Sequence, residues 1–522
     1  MQMKTYTNKI CAADEAVSQI HDEDIVATDG FVGTGFAEEI AIALEKRFIE
    51  HDHPRDLTLI YAAGQGDGSE RGLNHFALQG MVKRVIGGHW GLVPKLQKLA
   101  LNDEIEAYNL PQGVITHMFR DIAAHKPRTI THVGLNTFVD PRNGGGKINN
   151  CTEDDIVELI VFDGQEYLAY KLPVVDVAIV RGTTADPMGN ISMEKEALTL
   201  EALSVAMAAK NSGGKVIVQV ERIAKQGSLN PRDVIIPGIM VDHVVLAEQE
   251  NHCQTFATAY SPGFSSEIAV PLQEMPAMQL DIRKVIARRA FFELHPDQVV
   301  NLGIGMPEGV AVVANEEGFL DRITLTTEPG TIGGMPAGGL DFGASVNMQA
   351  LIDQPYQFDF YDGGGLDIAF LGLAQVDKHG NLNVSKFGTR LAGAGGFINI
   401  SQNAKRVVFT GTFAAGSMDI KVIDGRLSIE KDGHVSKFVD LVEQITFSGQ
   451  TALKSNQPVL FVTERAVFRL AQTGLELIEI APGVDLDRDI LAKMDFHTVM
   501  QDPPKLMDPR IFQPGCMDLN NF

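Results

Sequence analysis

The sequence lacks the features that mark metal-binding, secreted and membrane-spanning proteins. Its four cysteines, Cys11, Cys151, Cys253 and Cys516, lie far apart, with no CxxC pair and no metal-like spacing. No stretch approaches the ~18 apolar residues of a membrane span. The first residues lack the basic and apolar regions of a signal peptide. We therefore expect a soluble, reduced protein of the cytoplasm, with no metal site and no membrane partner.

Positive charge is also scarce. The chain has 44 Lys and Arg against 67 Asp and Glu, a formal net charge of −23. Nucleic acids and anionic membrane surfaces bind basic patches, so this charge argues against both partners. It does not exclude a small anionic ligand, because a few local cations or backbone N–H groups can hold one. The length of 522 residues predicts about two to four domains.

Two segments of the chain match closely and predict a duplicated domain. Residues 176–192 read DVAIVRGTTADPMGNIS, and residues 367–383 read DIAFLGLAQVDKHGNLN, at an offset of 191 (367 − 176). The same offset places KVIVQV at 215–220 on RVVFTG at 406–411. A chance match would not hold its register this far along the chain, so the two halves are interpreted as copies.

Continuous apolar runs predict strands that are buried on both faces of a sheet. With helices between these runs, we expect two related, open, mostly parallel α/β domains whose active site lies at their interface. The N-terminal domain is predicted over residues 1–275 and the C-terminal domain over 280–522, with the boundary within 261–279. Because 150 residues separate Val26 from Asp176 and only 67 separate Val300 from Asp367, an insertion is predicted at about 61–150.

Two glycine turns each follow a predicted strand and precede a predicted helix: GFVGTG at 30–35 and GIGMPEG at 303–309. Neither spells the GxGxxG of a dinucleotide site. The start of a helix still offers N–H groups and a positive dipole end that can hold a phosphate or a pantetheine carbonyl. An ordinary strand-to-helix turn explains these sequences equally well.

The segment TLTTEPGTIGGMPAGGLDFGAS at 324–345 holds one carboxylate, Glu328, followed by six glycines between Gly330 and Gly343. Glycine loses more conformational entropy on folding than any other residue, so a dense run needs a reason. Taken alone, a surface loop is the favoured explanation. The alternative is a close approach of backbone to a ligand at which Glu328 is aimed.

Two further motifs fit an oxyanion hole, a set of hydrogen-bond donors for a negatively charged reaction intermediate. LAGAGGFINIS places Gly393, Gly395 and Gly396 before a strand-like FINIS, and bare glycine N–H groups can point into a cavity. Gln112 lies between Pro111 and Gly113 just ahead of a predicted helix. A β-bulge or tight turn, and an ordinary capping or surface glutamine, remain the plain alternatives.

Together, Glu328-Pro-Gly with its glycine-rich tail, the Gly-x-Gly-Gly-Phe turn, Pro-Gln-Gly and the duplicated layout resemble the family I coenzyme A transferases, essentially end to end. The resemblance is greatest to single-chain members that exchange CoA among acetate, propionate, butyrate and acetoacetate. The sequence departs from the family pattern at Pro329, where many members carry Ser, Thr or Asn. This departure leaves the conformation of the loop open, but it does not affect the identification of the Glu328 carboxylate.

The resemblance implies a ping-pong reaction through a γ-glutamyl-CoA thioester, in a homotetramer with no tightly bound cofactor and with CoA as a substrate. It implies Glu328 as the nucleophile and Gln112 and Gly396 as the oxyanion donors. The residues expected to contact CoA are Gly303, Ile304, Gly305, Met306, Pro307, Gly393 and Gly395.

Two other functions stay open at this point. An acyl-CoA hydrolase on the same scaffold would release free acid without a carboxylate acceptor. A non-enzymatic sensor of small ligands would normally carry a basic DNA-binding segment, and none stands out in the sequence.

Overall fold

The computed structural model describes residues 8–272 and 277–519, and within them each half of the chain is built around one ten-stranded sheet. Along the main path of the N-terminal sheet every neighbouring pair of strands is parallel. In spatial order these strands are Ile10–Cys11, His243–Leu246, Lys215–Ile223, Val177–Ala185, Ile25–Thr28, Leu57–Tyr61, Val82–Gly87 and Glu106–Asn109. Ile191–Ser192 and Val234–Ile236 are added antiparallel at the side.

The C-terminal sheet has a parallel centre to which further strands are joined antiparallel at both edges, although its outermost pair, Gly474–Ile480 with Lys505–Leu506, is again parallel. Its parallel strands are, in spatial order, Thr324–Thr326, Val299–Leu302, Ile368–Gly372, Val407–Thr410 and Val459–Val462. Thr331–Ile332 and Ala350–Leu351 extend one edge. Ala466–Ala471, Gly474–Ile480 and Lys505–Leu506 extend the other.

Helices and small sheets surround these two sheets in the described residues. The α-helices are Ala13–Val17, Glu38–His51, Pro94–Leu101, Gln112–Ala123, Ala202–Asn211, Ile282–Phe291, Glu308–Glu316, Gln354–Asp362, Phe397–Asn403 and Gly449–Lys454. The strands of the small sheets are Arg128–Thr131, Val157–Phe162, Gln165–Lys171, Met335–Pro336, Ser345–Val346, Gln375–Asp377, Leu382–Asn383, Lys386–Phe387, Arg390–Leu391, Ala414–Ala415, Asp419–Ile423, Arg426–Lys431, Val435–Ser436 and Phe438–Val439. In the part of the chain that the structure describes, no helix is long and apolar enough to cross a membrane.

The apolar strands bury both of their faces, as predicted from their uninterrupted hydrophobic runs. Val26 packs into one N-terminal core cluster and its neighbour Ala27 into the other, because successive side chains of a strand point to opposite faces. In the C-terminal sheet, the neighbours Ile368 and Ala369 likewise pack into two different core clusters. Each sheet is therefore a middle layer between two hydrophobic cores, which confirms the predicted α/β class.

The predicted repeat appears as a shared strand order and as shared hydrogen bonds. Val177–Ala185 and Ile368–Gly372 occupy the same place in their sheets, between the strands equivalent by sequence. Asp186 Oδ2 accepts a hydrogen bond from Asn190 Nδ2 at 3.0 Å, and Asp377 Oδ2 accepts one from Asn381 Nδ2 at 3.0 Å. The Asp and Asn residues shared by the two copies of the repeat thus form the same hydrogen-bonded turn in both halves.

The extra residues of the N-terminal half widen its sheet. Val82–Gly87 and Glu106–Asn109 continue the parallel sheet beyond Leu57–Tyr61, whereas the C-terminal half turns back after Thr324–Thr326 with an antiparallel strand. Helix Gln112–Ala123 follows the last added strand. The insertion therefore brings Gln112 to the boundary between the halves.

The second half begins near the predicted boundary. Helix Ile282–Phe291 starts after Asp281, whose Oδ1 accepts hydrogen bonds from Arg283 N at 2.9 Å and Lys284 N at 3.0 Å. Residues 273–276 of the predicted boundary, and the chain ends 1–7 and 520–522, lie outside the described residues. The domain limits 1–275 and 280–522 stay predictions.

The prediction that FINIS forms a strand is wrong. Residues Phe397–Asn403 form a short helix that follows the left-handed turn of Gly393 (φ 80°) and Gly395 (φ 54°). Its β-branched isoleucines suggest a strand, but packing decides the conformation. Ile398 is buried in the N-terminal core, whereas Phe397 and Ile400 are buried in the C-terminal core. A helix can present apolar side chains to both halves at once.

Candidate active site

A cavity of about 270 Å³ lies between the two halves of the chain. It brings together most of the residues singled out from the sequence: Glu328, Gln112, Gly396, Gly393, Gly395, Gly303 and Ile304. Gly305, Met306 and Pro307 lie in the adjoining loop and do not line this cavity among the described residues. The rest of the wall is mostly apolar and includes Phe31, Val32, Leu92, Phe342, Leu371 and Phe397.

Glu328 enters this cavity from a tight turn at the end of strand Thr324–Thr326. The turn is closed by Gly330 N, which donates to Thr327 O at 3.1 Å, and by Thr327 N, which donates to Thr331 O at 3.1 Å. Gly330 has a φ of 124°, and a Cβ there would lie 1.9 Å from Ile352 O. Only glycine fits that position, so Pro329-Gly330 turns the chain sharply and leaves Glu328 at its tip.

The environment of Glu328 suits a carboxylate that is short of solvation. The residue is 8% exposed, and its Oε2 has no hydrogen-bond partner among the described residues. Burial raises the pKa of Glu328 to about 7, against hydrogen bonds from its own backbone amide and from Asn301. A carboxylate that is poorly solvated is a stronger nucleophile than one in water.

Asn301 lies beneath the nucleophile in strand Val299–Leu302 and was not singled out from the sequence. Its Nδ2 donates to Thr326 O and to Tyr361 Oη, both at 3.3 Å, and Tyr361 donates to Thr326 Oγ1 at 2.8 Å. This buried network fixes the strand end that carries Glu328. A single amide within the apolar run VVNLGIG was the signal that could have drawn attention to Asn301.

Gln112 and the glycine turn are joined through their backbones. Gln112 is the first residue of helix Gln112–Ala123, and its N–H donates to Gly395 O at 2.9 Å. Gly395 N in turn donates to Gly88 O at 2.7 Å. Gly396 makes no backbone N–H hydrogen bond to any residue that the structure describes, and it sits beside Glu328. The turn thus holds an amide side chain and a backbone N–H next to the carboxylate.

His89 also lines the cavity, although the sequence offered no signal for it. It is packed against Gly64 and near Gly395, and its Nδ1 has no hydrogen-bond partner within the described chain. Burial lowers the pKa of His89 to about 4, so the imidazole is neutral at physiological pH. His89 therefore adds a neutral polar group to an apolar wall and does not act as a cation.

Gly330, Gly333 and Gly334, which follow Glu328, pack within their own tail. Gly330, Gly333 and Gly334 do not line the cavity as the structure describes it; their bare Cα atoms pack against residues 346–352 of the same tail. Gly343 packs against Phe31, which does line the cavity. The tail is therefore a tightly folded layer around the turn of Glu328, and contact of its glycines with a ligand stays a prediction.

These features define a class of protein: an α/β protein with a buried carboxylate, an amide and a backbone N–H at a cavity between duplicated halves, an arrangement suited to acyl transfer.

Comparison with known proteins supports this class. Residues 10–247 match the family described as coenzyme A transferase. The chain is 47% identical over 510 residues to caffeate CoA-transferase of Acetobacterium woodii, covering 97% of each chain. It is 44% identical over 511 residues to acetate CoA-transferase YdiF of Escherichia coli K12, covering 97% of this chain and 96% of the other.

A solved structure matches the whole fold. The acyl-CoA transferase YdiF of Escherichia coli O157:H7, as a thioester complex with CoA, superposes with a TM-score of 0.93 at 42% identity over 98% of both chains. The chain belongs to the coenzyme A transferase family. It is an enzyme that moves CoA between an acyl-CoA and an acid.

Proposed function

We propose that the enzyme transfers CoA between a short-chain acyl-CoA and a free acid of the acetate, propionate, butyrate or acetoacetate type, through a glutamyl thioester on Glu328. One observation carries the proposal. Glu328 is a buried carboxylate with an unpartnered oxygen within the described residues, and it shares a cavity with Gln112 and Gly396. The solved structure of YdiF as a thioester complex with CoA supports the same chemistry.

The reaction balances without an added cofactor. The Glu328 carboxylate attacks the thioester carbonyl, the C–S bond breaks, and a mixed anhydride and CoA thiolate result. The thiolate attacks the glutamyl carbonyl, the anhydride C–O bond breaks, and the first acid leaves. A second carboxylate then reverses both steps and regenerates Glu328. Coenzyme A enters and leaves as a substrate.

Each attack creates a negatively charged oxygen that needs donors. Gln112 Nε2 and the N–H of Gly396 are the proposed donors, since both residues line the cavity that holds Glu328 and Gly396 packs against Glu328. Removing one such donor typically costs about 2.7–4 kcal/mol of transition-state stabilisation. The donors act in a cavity with a mostly apolar wall, where a hydrogen bond to a charged oxygen is stronger than in bulk water.

The loop 303–307 is proposed to contact CoA. Gly303 and Ile304 line the cavity, and the loop continues through Gly305 (φ 88°) to the start of helix Glu308–Glu316. A helix start offers N–H groups to an anionic or carbonyl ligand. Gly393 and Gly395 line the same cavity and complete the proposed contact.

The homotetramer is proposed from the family resemblance alone, and the cytoplasmic location without a nucleic-acid or membrane partner is proposed from the composition and charge of the sequence. Size-exclusion chromatography with light scattering tests the homotetramer.

Peptide mapping tests the nucleophile. Incubation with acyl-CoA alone should add one CoA to the peptide that contains Glu328, and hydroxylamine should remove it. Glu328→Gln has the same shape and should bind acyl-CoA but lose turnover by several orders of magnitude. An adduct on any other residue, or an active Glu328→Gln variant, overturns the assignment.

An acceptor screen tests the substrate class. One acyl-CoA donor is offered to a panel of free acids, and the CoA esters formed are measured by mass spectrometry. Caffeate belongs in the panel because a relative at 47% identity is named for it. Preference for caffeate over the short-chain acids would overturn the short-chain proposal and leave CoA transfer intact.

A further inference from the structure

A chain of buried polar side chains leads from Gln112 away from the cavity. Gln112 Nε2 donates to Gln354 Oε1 at 3.2 Å, and Gln354 Nε2 donates to Glu201 Oε2 at 2.6 Å. The N–H of Glu201 lies 3.4 Å from Asp29 Oδ1. All four side chains are at most 2% exposed, so none of them takes its partner from bulk water.

The four residues come from distant parts of the sequence but from similar positions in the fold. Asp29 follows strand Ile25–Thr28, and Glu201 directly precedes helix Ala202–Asn211. Gln354 and Gln112 are each the first residue of a helix. Gln354 N also donates to Leu200 O at 2.9 Å, so the C-terminal half is fastened to the N-terminal half at this point.

The chain of hydrogen bonds has a direction. When Glu201 is the ionised member of its carboxyl pair, its oxygen can only accept from Gln354 Nε2, so Gln354 presents its Oε1 to Gln112. Gln112 must then present its Nε2, because two carbonyl oxygens facing each other repel. The amide nitrogen has a second hydrogen, which no other residue of the described chain takes, and Gln112 itself lines the cavity. The orientation of an amide that can face either way is thus decided two side chains away.

Asp29 and Glu201 form the end of the chain. Asp29 Oδ2 and Glu201 Oε1 lack hydrogen-bond partners in residues 8–272 and 277–519. Burial raises the pKa of both carboxyls well above their usual range; repulsion from Asp29 adds to the shift of Glu201, and repulsion from Asp353 and Glu196 adds to that of Asp29. Two buried carboxyls this close are stable when a proton neutralises one of them.

We propose that Gln354 and Glu201 are positioning residues that hold the Gln112 amide with its N–H toward the reacting carbonyl. The inference rests on the proposed role of Gln112 as an oxyanion donor. Gln354 and Glu201 do not line the cavity within the described chain, so their effect on the reaction passes through Gln112.

A double-mutant cycle tests this inference. Gln354→Met keeps the length of the side chain and removes its amide. It should lower kcat about 10- to 100-fold, as a misplaced catalytic group does, and should leave KM within about twofold. Added to Gln112→Ala, it should cause no further loss, because the residue it orients is already gone. Losses that multiply, or a raised KM with unchanged kcat, overturn the proposal.

Substitutions at Glu201 supply an independent arm if Gln354→Met does not fold. Glu201→Gln retains an oxygen that accepts from Gln354 and should keep kcat within about threefold, whereas Glu201→Met has no such oxygen and should behave as Gln354→Met does. Equal losses in the two variants would contradict the proposal. Thermal unfolding of every variant shows whether a loss of activity reflects a loss of structure.

The outcomes separate this inference from the proposed function. If the wild-type enzyme forms no CoA adduct on Glu328, the proposed function fails. A different outcome is that the adduct forms and Gln112→Ala slows its formation, but the losses of kcat caused by Gln112→Ala and Gln354→Met multiply in the double variant. In that case only the positioning role fails.

Discussion

A Cβ atom on Gly396 would lie 3.5 Å from Cγ of Glu328. The catalytic carboxylate proposed here therefore packs directly against bare backbone, and the N–H of that glycine has no other partner in the chain as described. A methyl group at this point would also lie 3.2 Å from Ile400 and 3.3 Å from Phe358. Glycine at 396 lets the backbone approach the reacting group more closely than any other residue could.

The pH profile of the first half-reaction should report Glu328. Because only the ionised carboxylate attacks a thioester, and burial raises the pKa of Glu328 to about 7, kcat/KM for acyl-CoA should rise with pH. The midpoint should fall near pH 7, with about a tenfold loss per pH unit below it. Stopped-flow measurement of CoA adduct formation from pH 5 to about 9 checks this. A rate that is flat from about pH 5 to pH 7 would contradict it.

The same pKa shift predicts a stability difference between wild type and Glu328→Gln. The pKa of Glu328 is raised from 4.5 to about 7, so the folded state holds the proton more tightly than the unfolded state does. The stabilisation is complete below about pH 4.5 and is lost as pH rises through about 7, an amount on the order of 3 kcal/mol. Gln does not titrate. The Tm of Glu328→Gln minus the Tm of wild type should therefore increase as the pH is raised from about 5 to about 8. A difference in Tm that stays constant over this range would refute the prediction.

Gln112→Ala should slow chemistry more than it weakens binding. A donor that serves the transition state lowers kcat and kcat/KM together, here by roughly 10²–10³. Gln112 is buried at the start of its helix, where alanine is also tolerated, so the fold should persist. Steady-state kinetics with a fixed acyl-CoA and acid pair decide the matter. A change confined to KM would make Gln112 a substrate-positioning residue instead.

The fold could be predicted because its signals are local or repeated. The strands around Val177–Ala185 and Ile368–Gly372 are apolar runs, and the repeated Asp-x-x-Gly-Asn turn set their register. Helix Phe397–Asn403 could not be predicted, since its conformation depends on two cores that meet only after folding.

The candidate site was predicted in its main residues and missed in the residues that support them. Glu328 stands out because a carboxylate precedes an unusual Pro-Gly turn. Asn301 was marked only as a single amide within an apolar run. Gln354 carries no mark at all, because it is one amide among many and its partner Glu201 lies 153 residues away in the sequence. His89 likewise depends on long-range packing against Gly64.

The glycine-rich tail after Glu328 should determine the ratio of CoA transfer to acyl-CoA hydrolysis. An anhydride and a glutamyl thioester both hydrolyse, so the site must exclude water and still admit a carboxylate. Gly334 has a φ of 76°, and a Cβ there would lie 2.2 Å from Val346 O, which is backbone and must shift. At Gly333 the obstacle is the side chain of Gln349, 2.7 Å away, which can move more easily.

Gly334→Ala should therefore raise the ratio of acyl-CoA hydrolysis to transfer, and Gly333→Ala should raise it less. Gly318 is the matched control, because its φ is 65° and no atom lies within 4 Å of an added Cβ. Gly318→Ala carries the strain of a left-handed alanine, about 1–2 kcal/mol, without crowding the tail. Release of free CoA is measured with and without added propionate. Wild type should consume acetyl-CoA quickly only with propionate present, and an equal hydrolysis ratio in Gly334→Ala and Gly318→Ala would show that the tail does not exclude water.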